Sequence, residues 1–261
     1  MELVQENQAS ATPEINTITT TDLVDSLKMG WSDYKKAPLV GFSLSVFYVI
    51  GGYIIFSALL LSGEIWWAMP FTVGFPLLAP FAAVGLYATS CLIENNEKIT
   101  FRKVFGCAIA ERKRQIPWVG AIIVMWFLIY MLISHAIFAI TMGLTALTNI
   151  TTSYDLFFTV DGAIMLIAEI LVGGAFAFAL FSITLVSLPL LLDKEIDFVT
   201  AILISIQCVM QNFKVLMIWA FTIGALSLLA MVPALLGLLC VLPILGHATW
   251  HLYRRLLSHP A

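Results

Sequence analysis

Long apolar stretches alternate with short polar ones along most of this chain. Six of them, at residues 39–61, 69–93, 118–145, 163–192, 214–232 and 234–256, are long enough to cross a bilayer. A crossing helix needs about 20 apolar residues, and a longer one tilts. Three other segments place apolar residues at helical spacing on one side only. The first holds Leu23, Leu27, Trp31 and Tyr34 behind Thr21 and Asp22, both good N-caps. The second starts at Thr100 and holds Phe101, Val104, Phe105 and Ala108; the third starts at Asp197 and holds Phe198, Ile202, Ile206 and Val209. Stripes of this kind beside basic residues predict helices lying in the headgroup layer. Residues 1–19 show no period and few large apolar side chains, so they are expected to form a disordered cytoplasmic tail. Residues 257–261 are expected to form a second tail.

The alternation reads as one unit used three times, over 20–93, 99–192 and 197–256. Each unit is a surface helix followed by two spans. Leu92-Ile93-Glu94 before Thr100-Phe101 parallels Leu191-Leu192-Asp193 before Asp197-Phe198. The even-numbered spans share a Pro-aliphatic-Leu step at Pro76, Pro189 and Pro243. The expected fold is all-α: a single membrane domain over 20–256, with six transmembrane helices as three hairpins and cytoplasmic amphipathic helices.

Charge orients this picture. All 13 Lys and Arg residues fall before span one, between spans two and three, between four and the first residue of five, or in the last turn of six. Short loops rich in Lys and Arg stay in the cytoplasm. Both termini are therefore expected inside, with Glu64 and Asp155 outside. The chain is 61% hydrophobic and 11% charged, with mean hydropathy +0.97, against roughly 25% charged residues in a soluble domain. No basic cluster suggests nucleic acid. The acidic and polar start of the chain is unlike a secretory signal peptide. Cys91, Cys107, Cys208 and Cys240 show no CxxC spacing and read as packing residues.

Candidate chemistry is sparse. His247 and His251 share one face of span six, a spacing that can hold a metal or a haem edge. They lack the Glu of HExxH, and Trp250, Tyr253, Arg254 and Arg255 surround them. Such residues anchor helix ends at headgroups, so an interface belt or a packing hydrogen bond is favoured over a metal. Glu169 is the one acid deep in a span, and His135 lies at similar depth on the facing arm of that hairpin. An intramembrane His135–Glu169 pair could hold a proton or a cation, or be a structural hydrogen bond. Pro70, Pro76, Pro80, Gly74 and Gly85 interrupt span two, and Gly173 and Gly174 interrupt span four. Interrupted spans can mark a transport site, but kinks and close packing explain them more simply. Walker loops, GxSxG elbows, GxGxxG fingerprints and paired catalytic carboxylates are absent from the sequence. The acidic cluster Asp193, Glu195 and Asp197 is accounted for by an N-cap and solvated charge.

Four strings carry a family resemblance: FYVIGGY from Phe47, APFAAVGLY from Ala79, FSITLVSLPLLLDKEIDFVTA from Phe181 and LPILGHATWHLYRR from Leu242. Through them the chain resembles the bacterial integral membrane proteins grouped as domain of unknown function family 2189. The likeness extends from Trp31 to Arg255. Ala88-Thr89-Ser90-Cys91 departs from it, standing where the family pattern has an acid and a basic residue after the GLY step. The resemblance implies an inner-membrane location and no established activity. Some members carry a loose label as a cytochrome oxidase subunit. The four His residues, His259 in the tail among them, are too few for a haem-copper core. The expected role is non-catalytic, that of an accessory, assembly or organising protein without a cofactor. Its partners would be the lipid bilayer and other membrane proteins, such as a respiratory complex. A small-solute or ion permease is the alternative, and a cofactor-binding redox accessory comes third.

Overall fold

The computed structural model describes residues 13–62, 79–104, 106, 115–143 and 158–258. Its elements in chain order are β1 (Glu14–Ile15), α1 (Thr20–Lys36), α2 (Pro38–Ser62), α3 (Ala79–Glu94), α4 (Ile116–Met142), α5 (Val160–Thr184), α6 (Ser187–Asp193), α7 (Phe198–Gln211), α8 (Phe213–Met231), α9 (Leu238–Leu256) and β2 (Leu257–Ser258). Among the described residues four helices are long and apolar enough to cross a membrane: Pro38–Leu61, Ile116–Met142, Val160–Asp193 and Phe213–Met231. Much of the second expected span, the outer loops with Glu64 and Asp155, and most of the second surface helix lie outside the described residues.

The sixth expected span, α9, is the hub of the molecule. It packs most extensively on α1, then on α3 and α2. Its buried residues include His247, Ala248, Thr249 and Trp250 in unbroken succession. A helix enclosed by protein on several sides has no need of an apolar surface, which is why its middle tolerates His and Thr. Small residues allow the close approach. A Cβ on Gly30 of α1 would lie 2.6 Å from Ala248 N and 2.7 Å from Ile244 O.

The faces of α1 and α7 differ from the expected stripes. In α1 the buried residues are Leu23, Ser26, Gly30 and Asp33, while Trp31 is exposed. In α7 they are Ala201, Ile204, Ser205, Cys208 and Val209, while Phe198, Ile202 and Ile206 are half-buried. In both helices small side chains mark the packing face, and larger apolar ones lie beside it. The N-cap of α1 is Thr19 rather than Thr21 or Asp22. Asp22 occupies N3, and its Oδ2 accepts the Thr19 backbone N–H at 2.8 Å, the reciprocal half of a capping box. Asp197 caps α7 as expected, accepting Thr200 N–H at 2.8 Å.

The break between α5 and α6 follows from Pro189, which cannot donate to the carbonyl four residues back. Ser205 of α7 repairs the break: its Oγ accepts Val186 N–H at 3.1 Å and donates to Ser182 O at 2.7 Å.

The described part of the expected tail is ordered. Glu14 and Ile15 pair antiparallel with Ser258 and Leu257. Ile18 is buried and donates its backbone N–H to Asn212 Oδ1 at 2.9 Å. The two chain ends are thus tied to each other and to the α7–α8 junction. The tail reading fails for residues 13–19 because unpaired backbone at the end of a bundle finds acceptors there; residues 1–12 and 259–261 lie outside the described set.

Candidate functional site

Polar side chains gather at the C-terminal half of α9. Trp250 and Tyr253 were expected at a headgroup interface, yet each is only 1% exposed. Trp250 Nε1 donates to Glu94 Oε2 at 3.0 Å, and Tyr253 O–H donates to Asp193 Oδ2 at 2.8 Å. Arg254 reaches both acids, with Nη2 3.0 Å from Glu94 Oε1 and Nη1 3.3 Å from Asp193 Oδ2. Arg255 turns to α1, where Nη1 lies 2.5 Å from Asp22 Oδ1 and Nη2 3.7 Å from Asp25 Oδ2. The belt is therefore an internal clamp. It ties the ends of α3 and α6, the two helix ends that the repeat pairs, to α9. Both arginines are about a third exposed, so each pair contributes modestly, about 0–1 kcal/mol. Shared acceptors make the clamp a network.

One turn deeper lies a buried chain of four residues. Asp33 of α1 is 3% exposed, and its Oδ2 lies 2.7 Å from His251 Nε2. Ser90 of α3 donates to the same oxygen at 3.0 Å. Ser90 Oγ also lies 2.8 Å from Nδ1 of His247, which is fully buried. Lys36 Nζ stands 3.5 Å from Asp33 Oδ1. Burial pushes the Asp33 carboxyl up, but the hydrogen bond and charge of His251 and the Ser90 hydroxyl together hold it below its ordinary value. The two histidines do not converge on a common point: one faces Asp33 and the other Ser90. Among the described residues no group of three His, Cys, Asp or Glu side chains could hold a metal ion.

A second buried carboxyl sits between α4 and α5, which pack together. Glu169 is 1% exposed; Ser134 donates to Oε1 at 2.5 Å and Tyr130 to Oε2 at 3.2 Å. The expected partner was His135. The hydroxyls that hold the carboxyl come instead from Ser134, one position earlier, and Tyr130, one turn back on the same face. His135 points off that face and is half-buried.

Several of these residues escaped the sequence reading. Asp33 looked solvated beside Lys35 and Lys36, and its place three residues after Gly30, itself four after Ser26, was the available signal. Ser90, Ser134 and Tyr130 are ordinary in apolar helices and carried none.

No curated protein and no solved structure shows a significant match to the chain. The strings at Phe47 and Leu242 lie outside the segment that a family model covers, whereas the one at Ala79 and most of the one at Phe181 lie inside it. Residues 68–193, a little under half of the chain, match the family described as predicted integral membrane protein (DUF2189), and with its long apolar helices the chain is an integral membrane protein similar to that family over this segment.

Proposed function

We propose that the chain is a non-catalytic accessory, assembly or organising protein of a bacterial inner membrane, with six spans and both termini in the cytoplasm. One observation carries the reading. The four long apolar helices are buried within the chain over only 17%, 28%, 22% and 22% of their apolar windows. Their remaining surface is apolar and faces outward, toward lipid or other membrane proteins. The two buried carboxyls, by contrast, are each held by side chains of the same chain, Asp33 by Ser90 and His251 and Glu169 by Ser134 and Tyr130. That supports a self-contained body that presents apolar faces to membrane neighbours, a respiratory complex being one candidate.

The permease alternative rests on Glu169, a carboxyl held at depth by two hydroxyls. Proteoliposomes decide between them. An accessory protein yields no solute or proton flux, and Glu169→Gln leaves assembly unchanged. A flux present in the parent and lost in Glu169→Gln would make the accessory reading wrong. The redox reading draws on His247 and His251, and bound metal or haem that disappears on changing either would restore it. Orientation is tested by reporter fusions: Glu64 and Asp155 should report outside, Arg112 and Lys194 inside. A cytoplasmic signal at Asp155 would refute six spans.

A further inference from the structure

His247 is fully buried, and its two ring nitrogens stand in different surroundings. Nδ1 lies 2.8 Å from Ser90 Oγ, whereas Nε2 has no hydrogen-bond partner among the described residues. Counting hydrogens assigns the roles. Asp33 as a carboxylate can only accept. Its Oδ2 has Ser90 Oγ at 3.0 Å and His251 Nε2 at 2.7 Å, so both must donate to it. Ser90 owns one hydrogen and has placed it on Asp33, so toward His247 it can only accept. The ring hydrogen of His247 is therefore on Nδ1, and Nε2 keeps a bare lone pair inside the bundle. An unpaired buried acceptor of this kind is costly to keep.

We infer that the His247–Ser90–Asp33 chain is a proton-binding site, which holds an added proton with His247 as the Nε2–H tautomer and Asp33 as the neutral acid. The change balances. The incoming proton bonds to Nε2. The hydrogen on Nδ1 passes to Ser90 Oγ, and the hydrogen that Ser90 held passes to Asp33 Oδ2. Ser90 then accepts from Asp33 and donates to Nδ1, so each donor–acceptor direction along the chain is reversed. One positive charge has entered and one negative charge has been cancelled, and no imidazolium is left in the interior. A lone imidazole there would have to carry that charge itself, at the desolvation cost of a buried cation.

The surroundings fit this role. Among the described residues the charged groups in contact with the chain are Asp33 and Lys36 from α1 and His251 from α9. The only acid or base of α3 is Glu94, which is committed to Trp250 and Arg254; α2 has no charged residue. The Leu86 backbone lies within hydrogen-bonding range of the His247 ring and favours an added proton there. At the other end the Lys36 side chain is 55% exposed, so the Asp33 end borders solvent while the His247 end is sealed. The pH of loading belongs to the whole cluster rather than to any one member.

The test is side-chain nitrogen NMR of the full chain in lipid nanodiscs, with labelled histidine and His247 assigned by its absence in His247→Asn. Near neutral pH His247 should report the Nδ1–H tautomer. On acidification it should convert to the neutral Nε2–H tautomer, together with an infrared band of a protonated carboxyl that is missing from Asp33→Asn. Ser90→Ala should abolish the conversion, and Ser90→Thr, which keeps the hydroxyl, should retain it. If Ser90→Ala fails to fold, the parent titration alone decides. An imidazolium on acidification, an Nε2–H tautomer already present near neutral pH, or an Nδ1–H tautomer kept until acid unfolding would each overturn the inference.

Discussion

Replacing Gly30 by Ala tests whether the α1–α9 contact holds the molecule together. A Cβ at this position would lie 2.6 Å from Ala248 N, 2.7 Å from Ile244 O and 2.8 Å from Ala248 Cβ. The two nearest atoms belong to the α9 backbone, which cannot rotate away as a side chain can. Relief requires the helices to part by about 0.5–1 Å, enough to forfeit a quarter to a half of each local dispersion contact. Overpacking of this kind costs about 1–3 kcal/mol. Asp33, one turn along α1, would be drawn from His251, and a hydrogen bond to a charged group contributes about 1.5–3 kcal/mol. Against this, Ala in place of Gly favours a helix by up to about 1 kcal/mol. The expected net is a destabilisation of about 2–4 kcal/mol. The matched control is Gly174→Ala in α5, where nothing lies within 4 Å of the new methyl, so the propensity gain stands alone. Thermal inactivation in mild detergent, followed by size exclusion and tryptophan fluorescence, reads both. Gly30→Ala as stable as the parent, or shifted upward like Gly174→Ala, would refute the close contact.

Three further outcomes follow from the buried clusters. Ser134→Ala should destabilise by about 1–3 kcal/mol, because it leaves a buried carboxyl oxygen short of its donor; Tyr130→Phe should cost less, and melts of the two variants in detergent rank them. Arg254→Lys should cost at most about 1 kcal/mol, since a point charge cannot span Glu94 and Asp193 as a planar fork does, and the difference should shrink as salt is raised. The depressed Asp33 carboxyl sets a sign: its contribution is present above the ordinary value of 3.8 and is lost as pH falls through the lower folded value. The acid limb of stability against pH should therefore be shallower in Asp33→Asn than in the parent.

The class of the protein and much of its local structure were legible in the order of its residues. Apolar runs the length of a bilayer leave no soluble alternative, and α2, α4, α5–α6 and α8 fall where those runs lie. Asp197 announced the start of α7, and Pro189 marks the break after α5, because capping and a missing N–H act within one turn. Tertiary structure decided the rest. It decided that α9 is enclosed by α1, α2 and α3, so that Trp250 and Tyr253 became buried hydrogen-bond donors. It turned the Ser26, Gly30 and Asp33 side of α1 inward, because helices approach most closely where side chains are small, and a hydrophobic stripe does not register smallness. It gave Glu169 to Ser134 and Tyr130 rather than to His135, since successive helical residues point about 100° apart and depth alone does not choose between them. It brought Asp33 to His251 across 218 positions and Ser90 to His247 across 157. Periodicity reports the environment of a helix face, but hydrogen-bond partners this far apart meet only where the helices cross.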